Sequence, residues 1–233
     1  MTGNNYKVVS DFYDQVYYKE TQQIYNLNRY YRTLAEKMGI KPGEKVLDIA
    51  CGTGSWLKAT SDFGADIHGV DISDRAIEIG KNSLPNSTLK VGTAENLPFP
   101  DAYFDLVTCL GALEHFLDQP KAIKEMIRVA KPTTRFLILV PNSGFLTYRL
   151  GLFKGTQQQT IKETINSLEE WEKLFNQQGL TTVNRWADTH VLSRNWILRK
   201  PYFMVIPRLI QALLLMTWPL NWQYQVFHLC RLS

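Results

Sequence analysis

The stretch KVLDIACGTGSW (45–56) constrains the chain more than any other. An apolar run of strand length ends at small residues and turns through two glycines into a helix. A strand apolar on both faces has to be covered on both faces, and the alternation repeats downstream. ADIHGVD (65–71) reads as a second strand, RAIEIGKNSL (75–84) as a helix, TLKVG (88–92) as a third strand and FDLVTCL (104–110) as a fourth. DQPKAIKEMIRVA (118–130) follows as a helix with Ile123, Met126, Ile127 and Ala130 on one face, then RFLILVP (135–141) as a fifth strand. Strands that alternate with helices pair in parallel, so the expectation is an α/β, doubly wound sheet.

The flanks are less regular. Phe12, Val16, Ile24, Leu27, Tyr31 and Leu34 recur at helical spacing between Ser10 and Met38, with Gly39 as a stop, which predicts one or two helices. SLEEWEKLFNQQGL (167–180) predicts a helix capped by Ser167, with Glu170 at the capping-box position and Gly179 closing it. LTTVNRW (180–186) reads as a sixth strand. At 233 residues the chain makes one domain, with an N-terminal helical part (1–40), a core (41–141) and a C-terminal part (142–233).

Gly52 and Gly54 let backbone N–H groups approach a ligand, but Leu57 stands where a dinucleotide fingerprint needs its third glycine. Asp48, four residues before Gly52, suits an ammonium group. Asp71, closing the second strand, lies at the ~20-residue distance at which a carboxylate accepts from ribose hydroxyls. An adenosine with an amino-acid arm satisfies both acids.

Through VLDIACGTG, GVDIS, VGTAENLPFPDAYFDLVTC, LEH and EMIRVAKP before RFLILVP, residues 40 to 140 resemble the class I S-adenosylmethionine-dependent methyltransferases, in the branch with the ubiquinone and menaquinone enzymes. The resemblance implies a Rossmann-like seven-stranded sheet whose last strand, near 225–232, is antiparallel, an N-terminal helical lid, and an apolar helical insertion before that strand. It implies S-adenosyl-L-methionine as cofactor, with Asp48 and Ala50, Gly52 and Gly54 at the methionine moiety and Asp71 at the ribose. Ile72 packs on adenine, Thr93, Ala94 and Glu95 edge it, and Leu110 and Gly111 line the sulfonium side. Ala50 departs from a common glycine, and Thr93 from a common aspartate that accepts from the adenine amine; the second departure costs a hydrogen bond.

His115, after the fourth strand, is the candidate general base, although Glu114 and His115 serve equally well as braces for the next helix. Tyr13 and Tyr17 in the lid, Phe145 and Tyr148 in the segment 145–153, and His190 are candidate acceptor contacts. His68 and His228 read as structural, and Cys51 has no paired base. The aromatic and aliphatic character of these segments points to a lipophilic small-molecule acceptor methylated on O or N. Alternatives are C-methylation in quinone or isoprenoid biosynthesis, for which the arginine-asparagine segment of those enzymes is replaced by LGALEHF, and a non-catalytic cofactor-binding subunit.

A net charge of +4 is too mild for nucleic-acid binding. Three dispersed cysteines, Cys51, Cys109 and Cys230, argue against a disulfide framework or structural zinc, and no metal-ligand cluster is readable. With no secretory signal in MTGNNYKVVSDFYD, a cytoplasmic protein is expected. LIQALLLMTWPL is interrupted by Pro219 and Asn221 before the ~20 apolar residues of a span. The segment 196–220 is left to peripheral membrane contact, a homodimer contact or burial in the fold.

Overall fold

The computed structural model describes residues 2–19, 21, 28–151, 163–190, 197–198 and 200–233. Positions 24 and 27 of the expected first helix, 152–153 of the acceptor segment, and 191–196 and 199 of the apolar stretch lie outside the described residues.

Seven strands form one sheet: β1 (Lys45–Ile49), β2 (Asp66–Asp71), β3 (Thr88–Val91), β4 (Phe104–Leu110), β5 (Ala130–Pro141), β6 (Leu180–Ala187) and β7 (Gln225–Leu232). Their order is β3-β2-β1-β4-β5-β7-β6. Neighbours from β3 through β5 are parallel, and β7 runs antiparallel to both β5 and β6. This is the expected Rossmann-like sheet with its reversed last strand.

The helices are α1 (Thr2–Phe12), α2 (Asn28–Met38), α3 (Ser55–Ser61), α4 (Asp74–Ser83), α5 (Gln119–Arg128), α6 (Leu146–Arg149), α7 (Leu168–Gln177) and α8 (Val205–Thr217). One face of the sheet packs on α2, α3 and α4 through Leu34, Met38, Trp56, Leu57 and Ile77. The other packs on α5 and α7 through Ile123, Met126, Trp171 and Phe175. Two covered faces explain why the central strands are mostly apolar, with Asp48, His68 and Thr108 as buried polar exceptions.

Sequence signals are reliable where their chemistry is short-range. Ser167 and Glu170 form the reciprocal capping box of α7. Gly39, at φ +61°, ends α2 with Gly39 N donating to Glu36 O and Ile40 N to Ala35 O, the paired bonds of a left-handed helix stop.

The structure sharpens three of these readings. Thr2–Phe12 is helical and runs on into a wider turn, Tyr13–Tyr17, although TGNNY carries weak helix formers; docking of this segment on Ile72 and Ser73 after β2 compensates. The helix expected over 118–130 stops at Arg128, because Ala130 already pairs with Phe104 and begins β5 through a bulge. Helix α8 is not absorbed into the core: Ala212 is its buried residue, while Ile206, Leu213 and Met216 are 65–70% exposed. No helix of the described residues is long and apolar enough to cross a membrane.

Candidate functional site

The sheet sets the place of the site. The chain leaves β1 toward β2 and β3 on one side and toward β4 and β5 on the other, which opens a crevice at the carboxyl ends of β1 and β4. Asp48, Asp71 and Leu110 all fall at those strand ends.

The loop between β1 and α3 curls through three left-handed residues, Ala50 (φ +57°), Gly52 (φ +53°) and Gly54 (φ +89°). Gly52 N donates to Asp71 Oδ2 at 2.7 Å, and Ser73 N donates to Asp71 Oδ1 at 2.9 Å. Burial pushes the Asp71 carboxyl up to about 6 against those two bonds. Asp48 is also buried and is pushed up to about 7, with the hydrogen bond from Thr108 Oγ1 (2.6 Å) opposing the rise. Trp56 Nε1 donates to Thr108 Oγ1 at 3.1 Å, so α3 orients the threonine that orients Asp48. Two buried carboxylates that no cationic side chain of the described residues neutralises make a receptor for a cationic, hydroxyl-rich ligand.

The N-terminal segment lies over this loop. Ser10 Oγ donates to Ile72 O at 3.0 Å, Ser73 Oγ donates to Asp14 Oδ1, and Arg75 holds Tyr18 O (2.5 Å) and Lys19 O (2.9 Å). Tyr13, Tyr17 and Tyr18 form one aromatic cluster. Tyr18 is the buried member, and a Cβ built on Gly52 would stand 2.7 Å from its hydroxyl. Burial, with Asp71 next to it, raises the phenols of Tyr13 and Tyr18. The expected contacts Tyr13 and Tyr17 are thus in the lid; Tyr18 was one of five aromatics there, and nothing in its sequence setting singles it out.

Ile72 follows Asp71 at the lid contact. Thr93 bridges to Asn96, and Ala94 and Glu95 are buried beside it. Glu95 Oε1 accepts from Leu117 N (3.1 Å) and Asp118 N (3.3 Å), so its side chain braces the approach to α5.

Gly111 (φ +74°) ends β4 and feeds the short turn Leu113–His115. Glu114 is buried, and burial followed by the nearby Glu163 pushes its carboxyl up to about 8. Thr164 N donates to Glu114 O at 2.9 Å, which pins the segment before α7 to this turn. Glu114, His115 and Glu163 each offer a ligand atom within 4.8 Å of the others. The third member lies 48 residues beyond His115 and is gathered only by the fold, which is why no such cluster is readable in the sequence. Burial, then Asp71, Tyr17 and Glu114, raise the Tyr13 phenol.

Phe145 is buried, with its ring 4.8 Å from that of Tyr224, whereas Tyr148 is exposed, with its ring 5.6 Å from that of Phe145. Burial, then Glu163 and Glu114, push the Tyr224 phenol up to about 12.

His190 is more than a loop histidine. Its Nδ1 lies 2.5 Å from Asp188 Oδ2, and Tyr30 Oη donates to Asp188 Oδ1 at 2.6 Å. Burial raises the Asp188 carboxyl, yet the hydrogen bonds from His190 and Tyr30 and the charge of His190 together outweigh it and hold the group low; the His190–Asp188 bond in turn raises His190. Burial, then Asp48 and Asp188, raise the Tyr31 phenol, whose ring packs on those of Tyr30 and Trp56. His68 and His228 are core residues, packed edge-on against Phe104 and Phe175 respectively.

Residues 47–138 match a family model described as a methyltransferase domain. A demethylmenaquinone methyltransferase of Paenarthrobacter aurescens is 38% identical over 110 residues, 47% of this chain and 44% of that protein. An uncharacterized methyltransferase, YcgJ of Bacillus subtilis, is 32% identical over 166 residues, 66% of this chain and 64% of its own. The chain spans about half the length of the curated relatives it matches. Among solved structures, PH0226 of Pyrococcus horikoshii superposes with a TM-score of 0.66 at 21% identity, covering 93% of this chain and 98% of that one. A Haemonchus contortus phosphoethanolamine N-methyltransferase 2 reaches 0.70 at 19% identity, covering 96% and 59%. These last two likenesses speak to the fold.

Proposed function

We propose that this chain, whose residues 47–138 belong to the class I S-adenosylmethionine-dependent methyltransferases, transfers a methyl group to O or N of a lipophilic or aromatic small molecule. The single observation that carries the reading is the pair of buried carboxylates, Asp48 and Asp71, set around a loop of three left-handed residues under a tyrosine lid. The residues fit the cofactor. Asp48 and the 50–54 backbone would hold its amino-acid arm, Asp71 the ribose, Ile72 and the 93–95 backbone the adenine, and Leu110 with Gly111 the sulfonium side. Asp71 accepts from the backbone of Gly52, Ser73 and Ile72, and a carboxylate with about four acceptor positions keeps capacity for a ribose hydroxyl.

When bound, the sulfonium supplies a methyl group already activated for in-line displacement: the acceptor lone pair forms the new bond as the C–S electron pair returns to sulfur. The chain's part is to position and to exclude water. Tyr13, Tyr17 and Tyr18 close over the loop, and their ring faces favour positive charge beneath them. Phe145, Tyr148 and Tyr224 offer an apolar wall for the acceptor, and His115 is the nearest base at the end of β4. His190, held by Asp188 and edge-on to Tyr30, is the acceptor contact proposed from the β6 side.

The demethylmenaquinone methyltransferase relatives favour a second reading, C-methylation of a quinone-like ring, although they match over the cofactor half of the chain. Purified protein, S-adenosylmethionine and a panel of phenols, amines and hydroquinones in detergent separate the readings. Formation of S-adenosylhomocysteine with an O- or N-methylated product supports the first reading, and a C-methylated ring supports the second. Cofactor retained without turnover on any acceptor supports a non-catalytic binding subunit.

A lipophilic acceptor partitions into bilayers, and α8 offers a means of reaching it there. Tyr202 and Phe203 precede the exposed apolar helix, Trp218 and Trp222 follow it, and residues 189–233 contain Arg and Lys but no Asp or Glu. That combination suits a helix lying in an anionic interface better than it suits a second copy of this basic chain, which would bring like charges together.

A further inference from the structure

We infer that Glu114, His115 and Glu163 form a divalent-cation site on the acceptor side of the crevice. Their ligand atoms lie within 4.8 Å of one another, close to the span that a single ion with bonds of about 2.1 Å can bridge. A small inward movement of the half-buried Glu163 completes the fit.

Independently of that clustering, Glu114 Oε2 is buried and has no hydrogen-bond partner among the described residues. A buried carboxylate oxygen without a donor is costly, and the charged group that acts on this one is a second acid, Glu163, which makes the cost worse. A dication turns the same arrangement favourable by neutralising both carboxylates. The scaffold is built to hold the three together. Gly111 turns the chain out of β4, the Leu113–His115 turn aligns Glu114 and His115, and the bond from Thr164 N to Glu114 O fixes Glu163 opposite them.

Two carboxylates and one imidazole, with no thiolate in the set, suit Mn2+ or Zn2+. Three protein ligands leave open positions on the ion. An acceptor hydroxyl that occupies an open position loses its proton to water more readily, and its oxygen lone pair then forms the bond to the methyl carbon. This second step rests on the methyltransferase reading and narrows it to hydroxyl-bearing acceptors, with His115 serving as ligand instead of base. The cation site itself does not rest on that reading.

The test uses the full chain stripped with a chelator and titrated with Mn2+, with free ion followed by electron paramagnetic resonance, and with Zn2+ by calorimetry. One saturable site per chain is expected, weakened about tenfold to a hundredfold or more by Glu163→Gln and by Glu114→Gln, and unchanged by Glu172→Gln, whose partner is Arg185. Glu163→Gln is conservative and partly exposed, so it keeps the fold if Glu114→Gln does not. The absence of saturable binding, or equal affinity in the wild type, Glu114→Gln and Glu163→Gln, overturns the site. S-adenosylhomocysteine binding measured on the same samples keeps the two claims apart: cation binding without adenosyl binding sinks the methyltransferase reading alone, and the reverse sinks the cation site alone.

Discussion

Gly52 N donates to the Asp71 carboxylate at 2.7 Å, tying the first βα loop to the end of the neighbouring strand 19 residues later. This bond makes the loop and the acid one unit: whatever displaces Gly52 also misplaces the carboxylate that would meet the ribose.

Gly52→Ala therefore combines two penalties. Its φ of +53° costs a non-glycine residue about 1–2 kcal/mol, and the new Cβ meets the Tyr18 hydroxyl at 2.7 Å. Calorimetry should show S-adenosylhomocysteine affinity falling about tenfold or more, with part of the loss recovered when Tyr18→Phe removes the obstructing oxygen. An unchanged affinity in Gly52→Ala would mean that the lid does not press on the loop.

Ala50→Gly acts in the opposite direction. Alanine at φ +57° carries strain that glycine does not, and relief of about 1 kcal/mol exceeds the extra freedom glycine brings to the unfolded chain. Urea denaturation should show the variant at least as stable as the wild type, and a clear loss of stability would contradict this.

Stability should also fall with rising pH in the ligand-free protein. Burial raises Asp48 to about 7 and Asp71 to about 6, above the ordinary carboxylate range, so the folded chain holds protons that the unfolded chain has released. More protons bound in the folded state gives a negative slope, a contribution present at acid pH and lost as pH climbs through about 6 and 7. Thermal melts from about pH 5 to about pH 8 should show this decline, and Asp48→Asn should flatten it. Parallel slopes in the two proteins would refute the assignment.

Helix α8 gives a surface prediction. Wild-type protein should sediment with vesicles of phosphatidylglycerol and phosphatidylcholine, and added salt or Leu213→Asp with Ile206→Asp should release it. If the protein ignores vesicles and light scattering shows a dimer that the double substitution separates, the face belongs to a second copy.

The sheet was legible because burial on both faces writes itself into short apolar runs, and the turn at 50–54 because small residues follow an acid at a strand end. Ser167, Glu170 and Gly179 were legible for a similar reason, since caps act over a few residues. The convergence of distant residues was not legible. Glu163 reaches His115, and Asp188 reaches Tyr30 across 158 residues, only through the packing of β6 and the segment before α7 on the core. Residues 205–217 read as apolar from the sequence, but hydrophobicity alone does not say whether a helix faces its own core or the outside.

The most direct test of the central claim is calorimetric titration of the protein with S-adenosylhomocysteine beside Asp71→Ala, with circular dichroism confirming that the variant is folded. Saturable micromolar binding by the wild type and a loss of about tenfold or more in the variant are expected. No binding by the wild type, or equal binding by a folded Asp71→Ala, would contradict the account.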